Sequence, residues 1–361
     1  MPKPGTKVAL AALAFALTIA PAAFAQAATE TGHPDFTGTY TNASLTPLTR
    51  AKGIDSLVVD KATAAKIAAA TPIAGISQKD SDFDSAYVDP NKGAPKKGGA
   101  DFGLKGYNSF WVTPGNGLAI VHGEYRTSAI VDPANGQLPY RNPEEIAKER
   151  RPGAIRYLTG VGGNAGPEDT NLAERCLIGF GGTGGPGMLG VLYNNNYEFV
   201  QSPHSLVILV EMDHDARIIP LFDTAAKARA HHKPDVITPW LGDSVGWWEG
   251  NTLVVETTNV RAEEGKAGAF PLSTEGVVTE RFTRDGPDNL FYQFTVNDPK
   301  IYTQPWKAEL TFRGIKQHVY EYACHEGNYA MPHMLAGQRL EERQQAAAMK
   351  AKMPASKGKS R

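Results

Sequence analysis

The sequence predicts an all-β fold with minor helix: an antiparallel meander that closes into a barrel-like or two-sheet core, flanked by short helices. Three observations carry that expectation. From Tyr197 onward the chain is almost purely strand and turn. Turns such as Trp248-Glu249-Gly250-Asn251 and Asp285-Gly286-Pro287-Asp288 interrupt it at short intervals, as in a meander or barrel. Residues 205–219 alternate with the period of a strand, placing Leu206, Ile208, Val210, Met212 and His214 on one face and Glu211, Asp213, Asp215 and Arg217 on the other. Closure into a barrel would remove exposed edges and leave an interior pocket; two packed sheets satisfy the same pattern.

Residues 1–28 read as an export signal, with Lys3 and Lys7 ahead of an apolar core over 8–19 and a small-residue cleavage site at Ala23-Phe24-Ala25. No second apolar run reaches the roughly 18–20 residues that span a bilayer, so a soluble periplasmic or secreted protein is expected. Residues 29–160 are expected to supply strands and loops that cap or complete the core. Within them fall a first strand over 35–40, an Ala/Lys-rich helix over 62–70 and a long Asp/Gly/Lys/Pro loop over 78–106. Strands follow over 109–112, 118–121 and 126–131. A turn at Asp132-Pro133-Ala134-Asn135-Gly136 comes next, then a helix over 143–150 with Asn142 as its cap.

Residues 161–334 form the expected barrel-like core. A glycine-dense segment over 160–190 leads into strands over 197–201, 206–221, 252–259, 276–284, 290–296, 307–312 and 318–324. Residues 335–361 close the chain as a helix over 335–349 and a basic tail with Lys350, Lys352, Lys357, Lys359 and Arg361.

The formal charge of −1 offers nothing to nucleic acid or to an acidic membrane. The two cysteines, Cys176 and Cys324, are expected to form a disulfide, because an exported chain meets an oxidising compartment.

Several segments resemble a family of exported bacterial proteins of uncharacterised function. They are Glu174-Arg175-Cys176-Leu177, Tyr193-Asn194-Asn195-Asn196-Tyr197, His214-Asp215-Ala216-Arg217-Ile218-Ile219-Pro220-Leu221 and Trp240-Leu241-Gly242-Asp243-Ser244. The run from Trp248 to Asn259 and the run from Tyr320 to Tyr329 belong with them. The resemblance covers roughly residues 120–340, implies export and a shared core, and brings no activity or catalytic residues.

Chemistry is therefore sought in the residues themselves. His214 is the first candidate, as a general acid or base with Asp215 or Arg217 in support. His325 and Glu326, at the end of the last expected strand, are placed at a rim that the disulfide would tie down. Trp240, Tyr197, Tyr292, Trp306 and Asn196 are the candidate ligand contacts. Gly242-Asp243-Ser244-Val245-Gly246 matches the nucleophile-elbow pattern but precedes a strand rather than a helix. Gly179-Phe180-Gly181-Gly182-Thr183-Gly184 matches the dinucleotide fingerprint without a βαβ context and reads better as a loop or lid. His325-Glu326 lacks the second histidine of a zinc helix, since Tyr329 holds that place. A metal site from His214, His325 and a carboxylate is the one alternative to no metal at all.

These residues point to an exported enzyme without organic cofactor, doing acid-base chemistry of the lyase or isomerase type on a small oxygenated organic compound. A glycan-active enzyme with Glu256 and Glu280 as its carboxylates is one alternative. A binding protein or carrier for an apolar ligand is the other. His214 in a pocket beside another titratable group would favour the enzyme; an apolar pocket with His214 packed elsewhere would favour the carrier.

Overall fold

Period-two alternation governs most of the chain's regular structure. The computed structural model describes residues 32–71, 113–148 and 166–352. The signal, the loop over 78–106, the strand over 109–112, the end of the helix over 143–150 and most of the basic tail lie outside the described residues. The strands are β1 (Gly38–Thr41), β2 (Val58–Val59), β3 (Ile120–Val121), β4 (Glu124–Arg126), β5 (Ile130–Asp132), β6 (Asn196–Gln201) and β7 (Ser205–Val210). They continue as β8 (Ala216–Phe222), β9 (Asp243–Glu249), β10 (Thr252–Thr258), β11 (Val277–Asp285), β12 (Asn289–Asn297) and β13 (Trp306–Gly314).

Nine of these, β1 and β6 to β13, form a closed barrel, because β1 pairs with both β6 and β13. All its pairings are antiparallel except β8 with β9, which run parallel and meet only at Leu221↔Gly246 and Phe222↔Trp247. β5 adds to β13 outside the ring, and β2, β4 and β3 make a small separate sheet.

The barrel interior is a packed core. Tyr197, Phe199, Phe282, Tyr292, Phe294, Trp306 and Phe312 are fully buried on its inward face. Their rings meet at about van der Waals spacing, with centroids 5.0 Å apart for Tyr197 and Phe312 and 4.9 Å for Phe282 and Tyr292. The expected interior pocket is thus replaced by side chains, as in other barrels of this strand number.

Short helices decorate the outside. α1 (Lys61–Ala70) starts where the Asp60 carboxylate accepts from Thr63 N at 2.9 Å. α2 (Ala225–Arg229) covers Val245, Trp247 and Val254 on the outer face of β9 and β10, which is why Val254 and Val255 are both buried despite facing opposite ways. α3 is Ala262–Ala267, and α4 is Ala330–Lys352, starting five residues earlier than the sequence predicts. Among the described residues no helix is long and apolar enough to cross a membrane.

Three expected strands need correction. Residues 126–131 divide between the end of β4 and β5, which belong to different sheets. Residues 205–219 are not one strand: the chain reverses at Glu211–Asp215, where Asp213 and His214 take positive φ of 59° and 52°. Short polar side chains tolerate that left-handed conformation, so the turn forms without glycine. The reversal resets the alternation, so Arg217 points inward at 3% exposure while Ile218 faces solvent at 70%. Residues 318–324 make no strand. They pack against the β7–β8 turn, with Tyr320 N donating to Glu211 Oε1 at 3.3 Å.

Candidate functional site

The predicted catalytic residues separate into two places. Arg217 sits in the core, where its two terminal nitrogens donate to Glu280 at 2.9 and 2.5 Å. Tyr292 donates to the same carboxylate at 2.6 Å, and Arg217 Nη2 also reaches Ser244 and Thr257. Glu280 is 0% exposed, so this is a charge pair closed off from any ligand.

His214 lies on the outside of the β7–β8 turn, exposed, its Nε2 3.2 Å from both the Tyr320 carbonyl oxygen and the Tyr322 N–H. His325 and Glu326 are exposed. His325 and His214 both lower the Asp213 pKa, against burial, which dominates and holds it above the usual carboxylate range. His325, expected with Glu326 at a rim, and His214, expected to face a pocket, thus both act on Asp213, which lies beside the Cys176–Cys324 disulfide. Cys176, Asp213 and Cys324 have the spacing of a metal site, yet both sulfurs are bonded to each other and offer no thiolate.

The ligand-contact candidates also divide. Tyr197, Tyr292 and Trp306 are fully buried core residues, and burial drives both tyrosine pKa values up. Alternation on β6, β12 and β13 turns them inward, away from any ligand. Trp240 is half-buried under the Arg261 guanidinium, 4.5 Å from its ring centre. Asn196 donates to Glu211 at 2.6 Å and lines a cavity of about 590 Å³ beside Thr41 and Arg313.

A second cavity, of about 540 Å³, has a different character. Leu45, Pro47, Phe180, Val191, Leu192 and Met212 supply most of its wall, and no charged side chain lines it among the described residues. Its elements come from the N-terminal segment after β1, Thr71 at the end of α1, Pro114, the two ends of the glycine-rich loop and the β7–β8 turn. Sequence reasoning missed it because these pieces are far apart in the chain and none is regular structure.

The glycine-rich loop between the cavity walls is held over the barrel mouth. Gly185 has φ of 83° and lies so close to Arg217 that a Cβ would stand 2.7 Å from Nη1, so no larger residue fits. Gly179 N donates to Asp215 Oδ2 at 2.9 Å, which fixes the loop to the β7–β8 turn. Burial lifts the Asp215 pKa to about 7. Glu264, on α3, is 5% exposed, and among the described residues no hydrogen bond lowers its carboxyl pKa; burial, then the charge of Asp215, lifts it to about 8. Nothing in the sequence distinguishes it from its exposed neighbour Glu263.

Glu256 and Glu280 face opposite sides of the sheet, since Val255, not Glu256, is the partner of Glu280 across β10 and β11. On the outer face Glu256 accepts from Arg229 at 2.9 Å and lies 3.6 Å from His232, whose Nδ1 is 2.9 Å from Asp243. Hydrogen bonding to His232 and Arg229 takes Glu256 down to about 2, and hydrogen bonds to Glu256 and then Asp243 raise the His232 pKa against burial. Ser244 is the second residue of β9, a strand where the sequence reads turn, and no helix follows it; the Gly179 to Gly184 stretch is a short 3₁₀ turn. Comparison of the chain with protein-family models, with curated proteins and with solved structures finds no match.

Proposed function

We propose that this protein is an exported binding protein for a small, neutral, apolar ligand held in the 540 Å³ cavity. The observation that carries the reading is the wall of that cavity: its size suits a small organic molecule, its lining is mainly aliphatic and aromatic with the hydroxyls of Ser44, Thr46 and Thr71, and among the described residues no charge is present to orient a reactive or ionic group. The position of His214 supports the same reading, because its ring bonds to backbone groups of residues 320–322 outside the cavity.

The acid-base enzyme keeps one supporting observation, the Asp215 and Glu264 carboxyls with pKa values of about 7 and about 8. The space beside Glu264 is only about 20 Å³, too small for a substrate. The divergence of Glu256 and Glu280 leaves the glycan-active alternative without its carboxylate pair.

The test is a fluorescence titration of the purified protein with Nile red, a neutral apolar dye. Wild type and His214→Ala are expected to bind equally, and Leu45→Asp, which puts a charge on the cavity wall, to bind at least about tenfold more weakly. Binding that is absent in wild type, or indifferent to Leu45→Asp, overturns the reading.

A further inference from the structure

We propose that Asp215 and Glu264 form a proton-operated clamp on the loop over residues 179–190, holding the ligand cavity together when protonated and releasing it when ionised. The proposal rests on the binding reading above, because it assigns that site its regulation.

The loop has two functions that meet in its geometry. Its ends, Phe180 with Gly181 and Gly190 through Tyr193, are walls of the apolar cavity. Its middle sits on the two acids. At the loop's start Gly179 N is bonded to Asp215, a bond that favours the ionised carboxylate and is outweighed by burial; a Cβ at Gly184 would stand 3.3 Å from Asp215 Oδ2, and Gly182, Gly185 and Pro186 enclose the small space over Glu264. That space of about 20 Å³ has room for about one water. A carboxylate there cannot recover its hydration, whereas a carboxylic acid needs much less.

Among the described residues no cation pairs with either carboxyl. Asp215 is faced by Asp213 on the same turn, which pushes it further up, and by Glu264 on α3. Arg217, one inward position further along β8, is committed to Glu280 through both terminal nitrogens. His214 and His325 act on Asp213. Glu264 is faced by Asp215, while Glu263 and Lys266 of its own segment are exposed and the half-buried Arg261 lies over the Trp240 ring and pairs with Glu263.

The direction of the pH effect follows. Both acids have raised pKa values in the closed form, about 7 and about 8, so the closed form binds more protons than an open form in which the carboxyls are hydrated. Closure is therefore favoured at low pH, weakens as pH rises above the ordinary carboxylate range, and has lost its full proton contribution above about pH 8. Opening moves the cavity wall, so ligand affinity falls with it.

Hydrogen exchange read by mass spectrometry over residues 179–190 tests the clamp, at pH 6 to pH 9 with rates corrected for intrinsic base catalysis. Nile red titrations run over the same range. Wild type is expected to lose about tenfold or more in both protection and dye affinity across that range, and the Asp215→Asn, Glu264→Gln double variant less than about twofold. Glu264→Gln alone, with one isosteric change, gives an intermediate loss and guards against misfolding of the double variant. Protection in wild type that ignores pH, or falls equally in the variants, overturns the clamp. Dye binding absent at every pH overturns the binding reading and the affinity half of the proposal, while protection that still falls in wild type alone upholds the clamp.

Discussion

Glu280 lies at the centre of an aromatic core, a position a carboxylate tolerates only when its charge is matched and its oxygens are satisfied. Arg217, Tyr292 and the Gly187 N–H do both. Removing one partner strands the other, so Glu280→Ala is expected to lower unfolding stability by about 3–5 kcal/mol in urea titration, and Arg217→Met with Glu280→Leu to recover most of it. A loss below about 1 kcal/mol for the single variant would show that the pair is not what holds this layer. At this scale the sequence was partly legible. Arg217 stood out as an odd residue in an apolar strand, but its partner sits 63 positions away on β11, and no local pattern names it. Glu264 was illegible for the same reason: its burial comes from the loop above it.

The element that most changed in passing from sequence to structure is the 205–219 segment. Its apolar alternation is real, but the chain bends at Asp213 and His214 and returns as β8. The turn is then held from outside by residues 320–324 and by the Cys176–Cys324 disulfide, which the sequence did predict from its paired cysteines. Closing a 148-residue separation contributes about 5 kcal/mol in the chain-entropy model. Cys176→Ser with Cys324→Ser is accordingly expected to lower the thermal midpoint and to raise hydrogen exchange first in residues 211–215 and 318–325. Equal loss of protection in β11 to β13 would instead make the bridge a global tie.

Across the whole molecule, closure depends on a four-residue strand from the N-terminal part of the chain. β1 bridges β6 and β13, pairing Tyr40 with both Tyr197 and Gly314. Without it those two edges face water with unpaired backbone groups. A chain starting at residue 42 is expected to lose cooperative thermal unfolding and to aggregate, measured by circular dichroism and size-exclusion chromatography. A soluble, cooperatively folding product would show that the sheet is stable open.

What the sequence by itself determined is the all-β class, most strand positions and the disulfide partners. Alternation, turn residues and cysteine count are local or countable, and each acts through physics that needs no knowledge of neighbours. Tertiary structure alone decided that β1 closes the ring, that Arg217 turns inward, that aromatic side chains fill the barrel and leave the cavity outside it, and that Glu264 loses its water. Those outcomes depend on which distant surfaces exclude solvent from one another, and solvent exclusion is a property of the packed molecule.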